Sequence, residues 1–517
     1  MSQSVKKLLS VLFLAAVAMP EAKAFSLGGP IDTTWQTPQI GYGLAPEDIV
    51  GPMNLGEEYR WNTPTIVYAF DSSFLDYFGQ EGVNAVEAAV QVINALPPFS
   101  AMSADLSEFP LDTRRFNHRA TALGIRDMKS WALSMLLEAL GLAAPERWVY
   151  SLRALVTDGN GIAGAITIRR NFDPVTLLPS SYVNGTLYTY AIGPISTVPE
   201  FDATEVTVDP LAPSVTSVAA LAALESLLAG PPGFRTDFRG AGTLINPGLF
   251  YTGLTRDDVG GLRYLYRTSN HNVENVSSNA VSALGAGGGN TIGSTVAWLP
   301  VPGSQAAGQQ QQPGGVGGQQ PGGVGQPGGG LGGVGTTTNA LVDVALRPGV
   351  DKITLIRANF DSIIGATFSN VVVYTDIIIT NGVVRQQLAR RVLTQPDILF
   401  SAADLGLINN INPVLIDRDI AYQNNSTLNS IRPTPLSGPG VINPRVEIAF
   451  GKLGPFLQNF PLGGFREEQA IRGLIWGSFD GTTNAPIVFP RGTSIEQLER
   501  LLLEKGGGTP WKVVGAP

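Results

Sequence analysis

Few residues in this chain have the chemistry to act on a substrate, and their placement narrows the choice further. There are two histidines, His118 and His271, and no cysteine. Thiolate metal sites and cysteine nucleophiles are therefore excluded. Two histidines can share a zinc ion from one helix only when they stand four residues apart, because that spacing puts both imidazoles on one face. His118 and His271 do not meet that condition. Ser134 with His118 would supply a nucleophile and a base. No third orienting group and no nucleophile-elbow sequence accompanies them, so this pair is set aside. His118 sits in Arg114-Arg115-Phe116-Asn117-His118-Arg119 and reads as part of a solvated loop. Asp158-Gly159-Asn160-Gly161 has calcium-binding residue types but lacks the rest of a twelve-residue calcium loop, and reads as a turn.

Composition bounds what these residues serve. The chain has 517 residues, 44% hydrophobic and 15% charged, with a net charge of −8 and a pI of about 5.0. That is apolar material enough for two or three packed domains. The acidic balance, with no basic block after the first residues, argues against nucleic acid and anionic membrane surfaces as partners. At the N-terminus Lys6 and Lys7 precede an apolar stretch, Leu8 to Met19, too short to span a bilayer. Ala22-Lys23-Ala24 has the small-x-small form of a leader cleavage site, so export and a mature start at Phe25 are expected. No later run is apolar enough to anchor the mature chain. The sequons at Asn184 and Asn425 carry weight only in a glycosylating host.

Residues 303–338 repeat Gln-Pro-Gly-Gly-Val-Gly at Gln312 to Gly317 and at Gln320 to Gly325. With almost no side chains to bury, this stretch is expected to act as a tether of roughly 30–36 Å. It has no Lys-Ser/Thr of a phosphate-binding loop. The expected organisation is a leader (1–24), an α+β domain (25–268), an extension plus linker (269–338) and a β-rich module (339–517).

Strand signals fall at Pro64 to Phe70, Ala165 to Ile168 and Thr186 to Tyr190. Helical periodicity predicts helices over Gly82 to Asn94, Arg126 to Leu142, Ser214 to Ala229 and Thr255 to about Arg267. Beyond 339, Val371 to Thr380 and Val383 to Val392 flank an Asn381-Gly382 hairpin turn. Val446 to Phe450 and Ile471 to Phe479 read as strands, and a last helix is capped by Thr493, with Glu496 three residues on and Gly506 beyond its end. A β-sandwich-like module is the expectation there.

Three segments together resemble the matrixin branch of the metzincin metallopeptidases. The first is Tyr59-Arg60-Trp61-Asn62-Thr63-Pro64-Thr65-Ile66-Val67-Tyr68, followed by a helix with paired alanines, Ala88-Ala89. The second is Ser134-Met135-Leu136-Leu137-Glu138-Ala139-Leu140-Gly141-Leu142, which falls where the family has its His-Glu-x-x-His-x-x-Gly-Leu. The third is Leu254 to Tyr266, a capped Asp257-Asp258 pair ahead of an apolar stripe. The resemblance covers at most 59–267 and implies a metzincin-like α+β domain. With Gly141 at the turn, it places Ser134, Glu138 and Ala144 at the ligand positions and Met135 at the general-base position. Only Glu138 of these could bind a metal. No methionine follows Met135 to lie beneath a zinc, and the stretch from Gly141 to Thr255 is longer than a compact matrixin needs. A zinc site and any cofactor are therefore not expected. The implied function is that of an exported pseudo-metallopeptidase, a scaffold or binding protein of the cell surface or extracellular matrix. Its partner would be an extracellular protein or polysaccharide. Two other classes stay open: a divergent secreted hydrolase using other carboxylates, and a self-assembling surface or filament component.

Overall fold

The computed structural model describes residues 24–28, 54–55, 60–158, 161–194, 201–213, 215–220, 247–275, 344–368, 370–380, 382–403, 446–451, 475–482, 484–490 and 492–505. The leader before Ala24, the low-complexity stretch 303–338, Gly506 and the sequon at Asn425 lie outside them. The described residues form a mixed α+β structure with several sheets. None of its helices is long and apolar enough to cross a membrane.

The central sheet has four parallel strands, in the order Thr354–Arg357, Thr65–Phe70, Ile398–Ala403 and Val446–Gly451. Thr65–Phe70 is β-branched and apolar along its length, as a strand buried on both faces must be. Ile66, Tyr68 and Phe70 point into the main core. Val67 points the other way, into a second core with Ala358, Val372, Tyr374, Ala389 and Leu393. That second core is roofed by an antiparallel sheet ordered His271–Asn275, Val344–Pro348, Asn370–Thr380, Val383–Leu393. The expected hairpin is present, with Gly382 at φ +74° in its turn.

Two of the helices of the main core lie against the central sheet. Ser72–Asn94 is capped by Asp71 and longer than its periodicity predicts. It kinks at Gly79, φ +61°, and then presents Val83, Val86, Val90 and Ile93 inward as expected. Its last residue ties it to the sheet, because the Asn94 amide both donates to the Leu355 carbonyl (2.9 Å) and accepts from the Leu355 N–H (2.8 Å). Met128–Ala139 packs beside it.

The expectation of two separately cored modules is corrected by this connectivity. Strand Thr65–Phe70, ahead of the low-complexity stretch, is paired on both sides by strands that follow it. Ile125–Asp127 likewise pairs in parallel with Ile475–Ser478. Aromatic contacts repeat the pattern, with ring centroids 5.6 Å apart for Phe74–Phe450, 5.3 Å for Phe78–Phe489 and 6.1 Å for Trp131–Trp476. Among the described residues after 339, strands Thr354–Arg357, Ile398–Ala403, Val446–Gly451 and Ile475–Ser478 join sheets of the first region. His271–Asn275, expected in an unpacked extension, is a sheet strand. The physical reason is burial: a two-sided apolar strand needs cover on both faces, and the described residues of 25–268 do not supply it alone.

Two smaller expectations are also corrected. The helix expected from Ser214 is not yet formed over residues 215–219, and Ala220 is the first helical residue. The remainder, to Ala229, lies outside the described residues. The last helix, Ile495–Lys505, is capped one residue later than expected: Ser494 accepts from the Gln497 N–H and Gln497 accepts from the Ser494 N–H.

Candidate functional site

The helix Met128–Ala139 carries the positions singled out in the sequence. Ser134, Met135 and Glu138 are all buried on it, and Ala144 is buried beyond it. Gly141 has φ +104°, so the sharp turn implied by the resemblance is present. The Gly141 carbonyl accepts from the Gly28 N–H at 2.7 Å, and Leu142–Ala143 then pairs with Phe25–Leu27. Apart from the half-buried Lys129, every residue of this helix is buried, so it is packed all round and not half open as a helix lining a cleft would be.

The three segments behind the matrixin resemblance meet at the end of this helix. The Trp61 indole N–H donates to the Ala139 carbonyl at 2.8 Å. The Tyr266 hydroxyl donates to the Leu140 carbonyl at 2.6 Å and accepts from the Trp61 N–H at 3.4 Å. Arg60, itself buried, donates to the Leu265 and Asn270 carbonyls at 2.8 Å. The last carbonyls of a helix have no partner of their own, and here two aromatic side chains with polar tips supply them.

A polar stripe runs down one side of the helix. Asp127, Ser130, Ser134 and Glu138 follow at spacings of three and four, which places them on one face, and all are buried. Asp127 caps the helix, accepting from the Ser130 N–H (2.9 Å) and hydroxyl (2.5 Å). Burial pushes its carboxyl above the usual range, against the lowering effect of those donors. Ser130 in turn accepts from the Tyr251 N–H at 2.8 Å.

Next to this lies a cluster of three buried carboxyls, Glu146, Asp257 and Asp258. The closing helix Arg256–Tyr266 is capped by Thr255 as expected, and Asp258 as reciprocal partner makes this a capping box. Asp258 also accepts from the Val218 and Ala219 N–H groups at 3.1 and 3.0 Å. Glu146 accepts from the N–H and hydroxyl of both Thr216 and Ser217. The amides of 216–219 are thus held by carboxylates. Asp257 accepts on Oδ2 from the Ala24 N–H (2.9 Å) and the Asn184 N–H (2.5 Å). Burial first, then the neighbouring Asp258 and Glu146, push its carboxyl well above the usual range. The buried Tyr251 phenol is also raised, by burial first and then by Glu146.

The cluster does not form a metal site. Among the described residues no group of three or more His, Asp or Glu side chains could hold a metal ion. His118 is exposed, and it begins the short helix His118–Leu123 instead of lying in a loop; His271 is exposed on its strand. Ser134, being buried, has no access to His118. Asp158 and Gly161 flank the turn of the hairpin Ser151–Asp158/Gly161–Ile168, and Gly159 and Asn160 are outside the described residues. A groove of about 320 Å³ is lined by Glu81, residues 485–489 and residues 492–496, with nothing from the buried helix. Asp127 and Glu146 were missed by sequence reading. Asp127 had a usable signal, a cap residue three ahead of Ser130 at a helix start; Glu146, after a proline in a short turn, had none.

No family model, no curated protein and no solved structure matches this chain.

Proposed function

We propose that this chain is an exported, non-catalytic scaffold or binding protein built on a metzincin-like core, a pseudo-metallopeptidase acting at the cell surface or in an extracellular matrix. One observation carries the reading. It is the packing around the helix, where Trp61 and Tyr266 close its end, Gly141 turns the chain and Thr255 and Asp258 cap the closing helix, that supports the resemblance. The positions that would bind and activate a zinc-bound water hold Ser134, Met135, Glu138 and Ala144, and all four are buried. Met135 cannot accept a proton, and one carboxylate does not hold zinc against water. In this reading the buried core serves only to hold the fold, whose outer surface presents or binds another molecule, an extracellular protein or polysaccharide.

The hydrolase reading is less well supported, because the carboxylates that would serve it are committed. Glu146 and Asp258 are each buried and held by several backbone and hydroxyl donors. A self-assembling component is favoured by one feature: Val371, Val373, Leu388 and Val392 lie exposed on the outer hairpin of the antiparallel sheet. Its strand Val383–Leu393 is an edge among the described residues.

Hydrolysis assays of the full exported chain on unfolded protein substrates test the reading. No turnover above buffer is expected, and Glu138→Gln should change nothing. Turnover abolished by Glu138→Gln would contradict it. A mass well above one chain in analytical ultracentrifugation would move the balance to self-assembly.

A further inference from the structure

The antiparallel sheet that roofs the second core is apolar on both faces. Val372, Tyr374, Ala389 and Leu393 point inward. On the outer face the hairpin sets Val371 opposite Val392, Val373 opposite Arg390 and Thr375 opposite Leu388. An antiparallel sheet with one solvated face normally reads apolar inside and polar outside. Here Val371, Val373, Leu388 and Val392 all lie exposed, Leu388 at 73%. Opposed side chains in such a ladder stand about 4.5–5.5 Å apart, so these residues form one stripe. Phe368, also exposed, extends it at the open end of the hairpin. There its neighbour Thr367 donates to the Thr394 carbonyl through N–H (2.8 Å) and to the Leu393 carbonyl through its hydroxyl (3.0 Å). Contiguous exposed apolar surface of this kind marks an interaction site.

Charge narrows what can cover it. The register puts positions 271, 273 and 275, then 344, 346 and 348, on the same outer face as the alternate positions 371 to 379 and 384 to 392. None of them is Asp or Glu. The acidic side chain of the hairpin, Asp376, is on the inner side, buried against Arg347. Arg390 stands exposed in the stripe between Leu388 and Val392. It has no hydrogen-bond or ion-pair partner among the described residues. A molecule that covers the stripe also takes Arg390 out of water, and a buried cation without a counter-charge is costly.

We infer that this outer face docks a segment of another protein, apolar along its length and carrying a carboxylate set against Arg390. A second copy presenting the same face would bring another Arg390 and no carboxylate, so a two-fold self-contact is set against by charge although favoured by apolarity. A sugar chain would lay its hydroxyls on Val371, Val373 and Leu388, where nothing donates to them or accepts from them. A protein segment meets both demands, since aliphatic side chains pack on the valines and one Asp or Glu binds the guanidinium through paired hydrogen bonds. This deepens the binding reading proposed above and rests on it, naming the surface and choosing protein over polysaccharide.

The test is selection of a random twelve-residue peptide library on the immobilised full chain, repeated on Leu388→Asp and Arg390→Glu versions. Peptides enriched on the unsubstituted chain should combine aliphatic or aromatic residues with Asp or Glu. Synthetic copies should bind each variant about tenfold more weakly or worse. Selection on Arg390→Glu should return basic peptides in place of acidic ones. Failure to enrich any peptide, enrichment without an acidic preference, or binding untouched by both substitutions would each overturn the proposal. So would self-association of the full chain that Leu388→Asp abolishes, or binding of a sulfated oligosaccharide that Arg390→Glu abolishes. Both side chains are exposed, so neither substitution should move the melting temperature. Should Leu388→Asp lower it, the reversal of charge preference by Arg390→Glu decides alone. Turnover in the hydrolysis assay would sink the non-catalytic reading separately and leave the selection result standing.

Discussion

Tyr266 closes the buried helix. Its hydroxyl donates to the Leu140 carbonyl at 2.6 Å, joining the last turn of the closing helix to the end of Met128–Ala139. Both residues are buried, and burial pushes the phenol well above its usual pKa, so it stays a donor across the physiological range. Tyr266→Phe keeps the ring and deletes the donor. The expected loss is about 1–3 kcal/mol, the cost of a buried carbonyl left without that partner. Chemical denaturation should show a lower midpoint with an unchanged slope. An unchanged midpoint would mean that the bond contributes nothing to stability.

The interleaved parallel sheet predicts that neither side of the low-complexity stretch folds alone. A fragment of residues 25–268 lacks both strands that flank Thr65–Phe70 and the partners Phe400, Phe450 and Trp476. Fragments 25–268 and 339–517 should each lack a cooperative thermal transition by circular dichroism. Mixed during refolding, they should regain one. A sharp transition in either fragment alone would show an independent core on that side.

Asp127 gives a pH dependence whose sign follows from its raised carboxyl. A group with a raised folded pKa adds stability that is complete below the unfolded value, about 3.9, and is lost as pH rises through the folded value. Asp127→Asn keeps a good helix cap and removes the titration. Relative to the unsubstituted protein, this variant should become progressively more stable between pH 4 and pH 7. Denaturation at both ends of that range checks it. A difference that runs the other way would mean that the Ser130 donors outweigh burial.

Local chemistry was legible in the sequence where one short segment decides it. Thr255 and Asp258 announce a capped helix, Gly382 a hairpin turn and Gly141 a chain reversal, and each is found. Strand Thr65–Phe70 was legible as a strand, but its partners were not. Parallel neighbours are chosen by which distant segment covers which face, and residues 65–70 hold no record of that. The Gly/Gln/Pro composition of 303–338 was read as a domain boundary, yet composition reports only on its own residues and not on whether the flanking segments share a core. The buried cluster escaped for a related reason. Glu146, the segment Thr216–Ala219 and Asp258 are far apart in the chain, and only the fold brings them together.

The most direct measurement of the central claim is elemental analysis of the purified full-length protein, with melting followed before and after a strong chelator. Of the four positions Ser134, Met135, Glu138 and Ala144, only Glu138 carries a side chain that could bind a metal, too few for zinc. Well under one zinc per chain is expected, with the melting temperature unmoved by the chelator. About one zinc per chain, removed by the chelator together with a fall in melting temperature, would contradict the pseudoenzyme reading.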